Sequence, residues 1–99
     1  MALKLFTSAE ADKDFIRIYE HYAYDRAIPH IADKIDVSLR HAIEHILPVS
    51  PGIGKILKSP NVRAFLVNRS HWIIYSYTDT ALMIRRIVSA KENTNWENI

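Results

Sequence analysis

The sequence predicts an α+β domain: a mainly antiparallel sheet covered on one face by a helical hairpin. Three observations predict it. Residues 62–67, 72–77 and 81–88 are short apolar runs rich in β-branched and aromatic side chains, separated by Asn68-Arg69-Ser70-His71 and Thr78-Asp79-Thr80. Such runs between turn formers read as strands joined by hairpins, here a three-stranded C-terminal meander. Two stretches with helical periodicity precede them. A short alternating stretch, with Leu3 and Leu5 flanking Lys4, opens the chain and reads as a first strand over residues 2–6.

The elements follow in order. Thr7-Ser-Ala-Glu10 has the spacing of a capping box, so a helix should begin there with Thr7 as its cap. Phe15, Ile18, Tyr19, Tyr22 and Ala23 then recur at steps of three and four and form its apolar face. Asp12, Asp14, Arg17, Glu20 and His21 fall largely on the outer face. Pro29 suits the first turn of a second helix, expected over residues 30–47. Its stripe is Ile31, Ile35, Leu39, Ala42, Ile43 and Ile46; its polar side is His30, Lys34, Ser38, His41 and His45. Residues 48–54 carry two prolines and both glycines of the chain, and read as a loop leading into the meander. A polar tail follows Val88 and contains Trp96.

Composition sets the class. The 99 residues, 48% hydrophobic and 24% charged, suit one domain over residues 1–99 with a core of its own. There is no cysteine, which excludes disulfides and thiolate metal sites. The opening apolar stretch is too short for a secretory signal, and no run approaches a membrane span. A cytoplasmic location without membrane contact is the expectation. Residues 1–50 carry six Lys and Arg against eight Asp and Glu, whereas residues 51–99 carry seven against three. The strand half is therefore basic and suited to an anionic partner.

Signals for catalysis are few. His41-Ala-Ile-Glu44-His45 fits the H-x-x-E-H pattern of inverted zinc proteases. A catalytic zinc also needs a third ligand and a cleft. The two histidines continue the polar side of the second helix and read as its solvated face. Two glycines make no phosphate loop, and neither a Gly-x-Ser-x-Gly elbow nor a cysteine nucleophile occurs.

The order of elements and several local patterns resemble the RelE/ParE superfamily of type II toxins, and the ParE branch more closely. The residues that carry the resemblance begin with Thr7, Glu10, Ala11 and Asp14. Pro29-x-x-Ala32, Ile43, Pro51-x-x-Gly54 and Val62-Arg63 follow. Ser70-His71-x-Ile-Ile-Tyr75 and Ile84-x-Arg86-Ile-Val88 complete the set. The pattern departs where a His-Gly-type turn usually follows the last strand; here Ser89-Ala90 and Lys91 stand there. Ile73 also occupies a position where the RNA-cleaving branch typically carries arginine.

The resemblance implies a non-enzymatic inhibitor that binds DNA gyrase and stalls it with DNA cleaved, neutralised by a cognate ParD-like antitoxin. No cofactor and no metal come with it. Arg85, Arg86, Lys91 and Trp96 are then the expected target-binding residues, and Arg63, Arg69, Arg85 and Arg86 the antitoxin-binding ones. The alternatives are a RelE-type, ribosome-dependent mRNA endonuclease, or a non-toxic relative that still binds antitoxin. For a nuclease, His71, Arg63, Arg85 and Lys91 are the candidates, with His71 as acid or base. Each has a structural reading beside the functional one. His71 could cap a hairpin, and Arg63 could be the polar side of its strand. Tyr75 reads as a half-buried sheet aromatic. Arg86 reads as a partly buried cation with a carboxylate or carbonyl partner.

Overall fold

The computed structural model describes residues 2–57 and 61–91, so Lys58 and Trp96 lie outside the described residues. The chain runs through β1 (Lys4–Thr7), α1 (Ala9–Glu20), a π-helical turn (His21–Asp25), α2 (Pro29–His41) and a second π-helical turn (Ala42–Ile46). A 3-10 turn (Pro51–Ile53), β2 (Lys55–Ile56), β3 (Val62–Val67), β4 (His71–Tyr77) and β5 (Ala81–Ser89) complete it. The sheet order is β1-β5-β4-β3-β2. β1 pairs with β5 in parallel, Leu5 opposite Leu82; the other pairings are antiparallel. A parallel pair needs a long crossover, and the two helices and the hairpins of the meander supply it.

The first helix is capped one residue later than the capping box suggests. Thr7 is the last residue of β1, paired with Ile84. Ser8 is the cap: its hydroxyl accepts from the Ala11 N–H at 3.0 Å and donates to the Arg85 carbonyl at 2.7 Å. The sheet claims Thr7, so the next hydroxyl takes the cap. At the other end α1 widens into its π turn, and Ala27 closes the segment at φ 54°. Pro29 then opens α2 at its first turn. α2 passes into the second π turn at Ala42, so the helical segment reaches Ile46, close to the expected end.

The helices cover one face of the sheet. Ala11, Ile18, Leu39, Ala42, Ile43 and Leu47 pack there on Val67, Ile73, Tyr75, Leu82, Ile84 and Ile87. A smaller cluster, Ala64, Ile74 and Val88 with Leu57, Val62 and Trp72, lies apart from this core. Tyr75 is wholly buried rather than half-buried.

One irregularity decides which residues of β5 face the helices. Ile74 pairs with Arg86 but Tyr75 pairs with Ile84, so Arg85 has no partner opposite it. This is a β-bulge, and it shifts the alternation by one. Leu82 and Ile84 before it, and Ile87 after it, all enter the helix-side core. Strict alternation would have grouped Arg86 and Val88 with Leu82 and Ile84; the bulge sends Val88 to the smaller cluster.

Candidate interaction site

A buried carboxylate anchors α1 to the bulged strand. Beyond Ile84, β5 has lost β1 as its neighbour, and the Ile87 N–H donates instead to Asp14 Oδ2 at 2.9 Å. Arg86 closes on the same carboxylate, with Nε to Oδ2 at 2.8 Å and Nη2 to Oδ1 at 3.2 Å. Arg17 adds a longer bond at 3.4 Å. Asp14 is 4% exposed, so its expected place on the outer face is corrected. The signal was present: Asp14 stands three residues after Ala11 and four before Ile18, on the buried stripe. Burial pushes the carboxyl up. The Arg86 hydrogen bond, the Ile87 N–H, the charge of Arg86 and the Arg17 bond outweigh it and hold the group below its ordinary value. Arg86 thus has the carboxylate partner that its sequence suggested, and its first task is to hold the fold.

A second anchor fixes the loop before the meander. The Tyr75 hydroxyl accepts from the Gly54 N–H at 3.0 Å and donates to the Pro51 carbonyl at 2.6 Å. Arg63 Nη1 donates to the Gly54 carbonyl at 2.9 Å, and its guanidinium sits 5.9 Å from the Tyr77 ring centre. A Cβ on Gly54 would lie 2.6 Å from the Tyr75 hydroxyl and 2.9 Å from the Ala64 carbonyl oxygen, so only glycine fits. Burial raises the Tyr75 phenol, against the opposing pull of the Gly54 N–H and the Arg63 charge. Pro51, Gly54, Arg63 and Tyr75, separate in sequence, are one structural knot.

The other cations expected at the site lie at the surface. Arg69, Arg85 and Lys91 are exposed. Asn68 and Arg69 take φ 53° and 58°, and the Ser70 N–H bonds the Val67 carbonyl at 3.0 Å, which is a type I′ turn. The Ala90 N–H reaches the Ser70 carbonyl at 2.8 Å, which brings the Arg69 turn beside the Ser89–Lys91 end of the last strand. Arg69 and Lys91 therefore share one end of the sheet. Arg85 stands mid-strand at the bulge, and Arg63 lies toward the far end of β3.

An apolar groove of about 380 Å³ runs up to the Arg69 turn, between α2 with its following π turn and β3. Val37, Ala42, Ile46, Phe65, Leu66 and Asn68 are among the residues that line it. Val37 is 66% exposed and Leu66 36%. Sequence reasoning missed this groove. Its signals were a valine off the apolar stripe of α2 and a leucine among the outward positions of β3.

His71 is not presented to solvent. It opens β4, is 2% exposed, and holds Nδ1 2.8 Å from the Ser70 hydroxyl. The Tyr22 ring packs edge-on at 6.1 Å between ring centres. An acid or base on a bound substrate needs reach, and the helix side encloses this ring. His41, the last residue of α2, and His45, in the π turn that follows, are both exposed. Among the described residues no three His, Asp or Glu side chains gather as a metal centre.

Comparison with known proteins places this geometry beside a family model and solved structures. The family model described as the ParE toxin of the type II toxin–antitoxin system parDE matches residues 5–94. A structure of the chromosomal ParDE system of Pseudomonas aeruginosa superposes with a TM-score of 0.71 at 20% identity, covering 91% of this chain and 98% of that one. The solution structure of a conserved hypothetical protein of Helicobacter pylori gives 0.60 at 21% identity, covering 93% and 99%. A chain of the Escherichia coli DinJ–YafQ toxin–antitoxin complex gives 0.54 at 18% identity, covering 90% and 93%. No match was found among the curated proteins.

Proposed function

This chain belongs to the ParE toxin family of type II toxin–antitoxin systems, and from that premise we propose that it arrests growth by binding DNA gyrase and is silenced by a cognate antitoxin. The observation that carries the reading is the family match over residues 5–94. The site supports a mode of action based on binding. Its one histidine candidate for proton transfer is enclosed, while Arg69, Arg85 and Lys91 face outward.

The antitoxin is proposed to dock an acidic, amphipathic segment in the groove between α2 and β3. Val37, Ile46 and Phe65 take its apolar side chains, and Arg69 and Lys91 meet its carboxylates. Of the other expected contacts, Arg85 remains a surface anchor for gyrase. Arg63 and Arg86 act mainly by holding the loop and the bulged strand in place. The expected role of Trp96 lies outside the described residues.

Expression in cells tests the proposal. A gyrase inhibitor induces the DNA-damage response while translation continues. Cut mRNA and translational arrest within minutes, with normal supercoiling, would overturn it in favour of the endonuclease reading. Growth without arrest, with antitoxin binding retained, would favour a non-toxic relative.

A further inference from the structure

From the arrangement of His41 and His45 we infer that the second π turn is a chelating site for a divalent transition-metal ion of the zinc, nickel and copper class. This is separate from any protease chemistry and independent of the toxin reading. It needs no third protein ligand, because water fills the remaining coordination positions.

The geometry carries the inference. Two imidazoles on one ion each place a nitrogen about 2.1 Å from the metal, with the ring centre roughly 1.1 Å further out. At angles between square and tetrahedral, the two ring centres then stand about 4.5–5.2 Å apart. The ring centres of His41 and His45 are 5.3 Å apart and tilted by 40°, within a small side-chain adjustment of that arrangement. In contrast, His21 stands against Asp25 at 3.7 Å, and His71 is enclosed.

The backbone explains why the pair is held this way. His41 is the last residue of α2, and His45 lies in the π turn Ala42–Ile46 that follows. A π turn is wider and flatter than an α turn, so positions four apart come closer along the axis. The intervening Ala42 and Ile43, and Leu47 beyond, are buried at 2%, 4% and 0% exposure. The core side of the turn is therefore fixed, and the histidines share its open side. The position also favours a cation electrostatically, because it is the C-terminal end of the helical segment. His41 borders the groove between α2 and β3, so a bound ion would sit on the rim of that groove.

Titration of the tag-free, full-length protein with Zn²⁺, Ni²⁺ or Cu²⁺ alone tests the site. One saturable equivalent is expected, with a rise in Tm that EDTA reverses. Paramagnetic Ni²⁺ or Cu²⁺ should broaden the amide signals of residues 41–46 first. Losing a direct ligand should cost at least what losing an outer-shell partner costs, so H41Q and H45Q should each weaken binding by about tenfold or more. Both side chains are exposed, so both variants should melt like the parent in EDTA. Absence of saturable binding, affinity unchanged in the two variants, or broadening centred on another histidine would each overturn the assignment.

Discussion

Asp14→Ala is the most informative single change, because one carboxylate holds a helix, an arginine and a strand edge together. Asp14 accepts from Arg86 at 2.8 and 3.2 Å and from the Ile87 N–H at 2.9 Å. Its removal leaves the buried Ile87 N–H without an acceptor, a cost of about 1–3 kcal/mol. Breaking a fully buried ion pair costs roughly 3–5 kcal/mol. The Arg86 side chain is 37% exposed and regains part of its hydration, so that cost is discounted. The expected loss is about 2–4 kcal/mol, against a total of roughly 5–15 kcal/mol for a domain. At about 4–8 °C per kcal/mol for a chain of this size, Tm should fall by about 8–32 °C. Urea titration at neutral pH measures the free-energy loss, and a thermal melt measures the fall in Tm. Asp14→Asn should lose less, because one amide oxygen still serves the Ile87 N–H.

The pH dependence gives a second readout of the same contact. The folded carboxyl is held below its ordinary value. Its contribution is therefore complete above the unfolded carboxyl pKa of about 3.9 and is lost as pH falls through the lower folded value. The stability gap between parent and Asp14→Asn should stay constant above about pH 5 and shrink on acidification below it. A loss under 0.5 kcal/mol for Asp14→Ala, or a gap independent of pH down to the acid transition, would show that this carboxylate does not hold the fold.

Further outcomes are expected at the other positions. Gly54→Ala should destabilise by about 1–3 kcal/mol, since its methyl would meet the Tyr75 hydroxyl and the Ala64 carbonyl; urea titration reads it. Arg69→Gly should stabilise by up to about 1 kcal/mol, because φ 58° strains any residue with a Cβ. The same variant should slow antitoxin association and flatten its salt dependence, measurable by stopped flow at two ionic strengths. Val37→Glu should leave the melt unchanged and weaken antitoxin binding by about tenfold or more, since it puts a charge in the groove. His71→Gln should retain growth arrest wherever the protein stays folded, whereas a nuclease using that ring would lose about a hundredfold or more.

Much of the fold was legible because its signals are local. The three meander strands sit within one residue of the apolar runs, since each run alternates with turn chemistry. What escaped depends on long-range pairing. The parallel contact of β1 with β5 joins residues almost eighty positions apart, and only that contact shows that Thr7 belongs to the sheet and Ser8 to the cap. β2 is two residues long and has no periodicity to read. The bulge at Arg85 cannot be inferred from alternation, because it breaks alternation. The candidate site was legible as a set of cations but not as a division of labour. Sequence charge alone does not separate Arg63 and Arg86, which are tied to Gly54 and Asp14, from the exposed Arg69, Arg85 and Lys91.

The proposed action on gyrase by binding, and its reversal by an antitoxin, can be tested with purified components. The most direct measurement is gyrase supercoiling of relaxed plasmid with purified protein, with and without an equimolar antitoxin. Supercoiling should be blocked, cleaved DNA should accumulate on gyrase, and antitoxin should restore turnover. Unimpaired supercoiling by a folded protein that still arrests growth would contradict it.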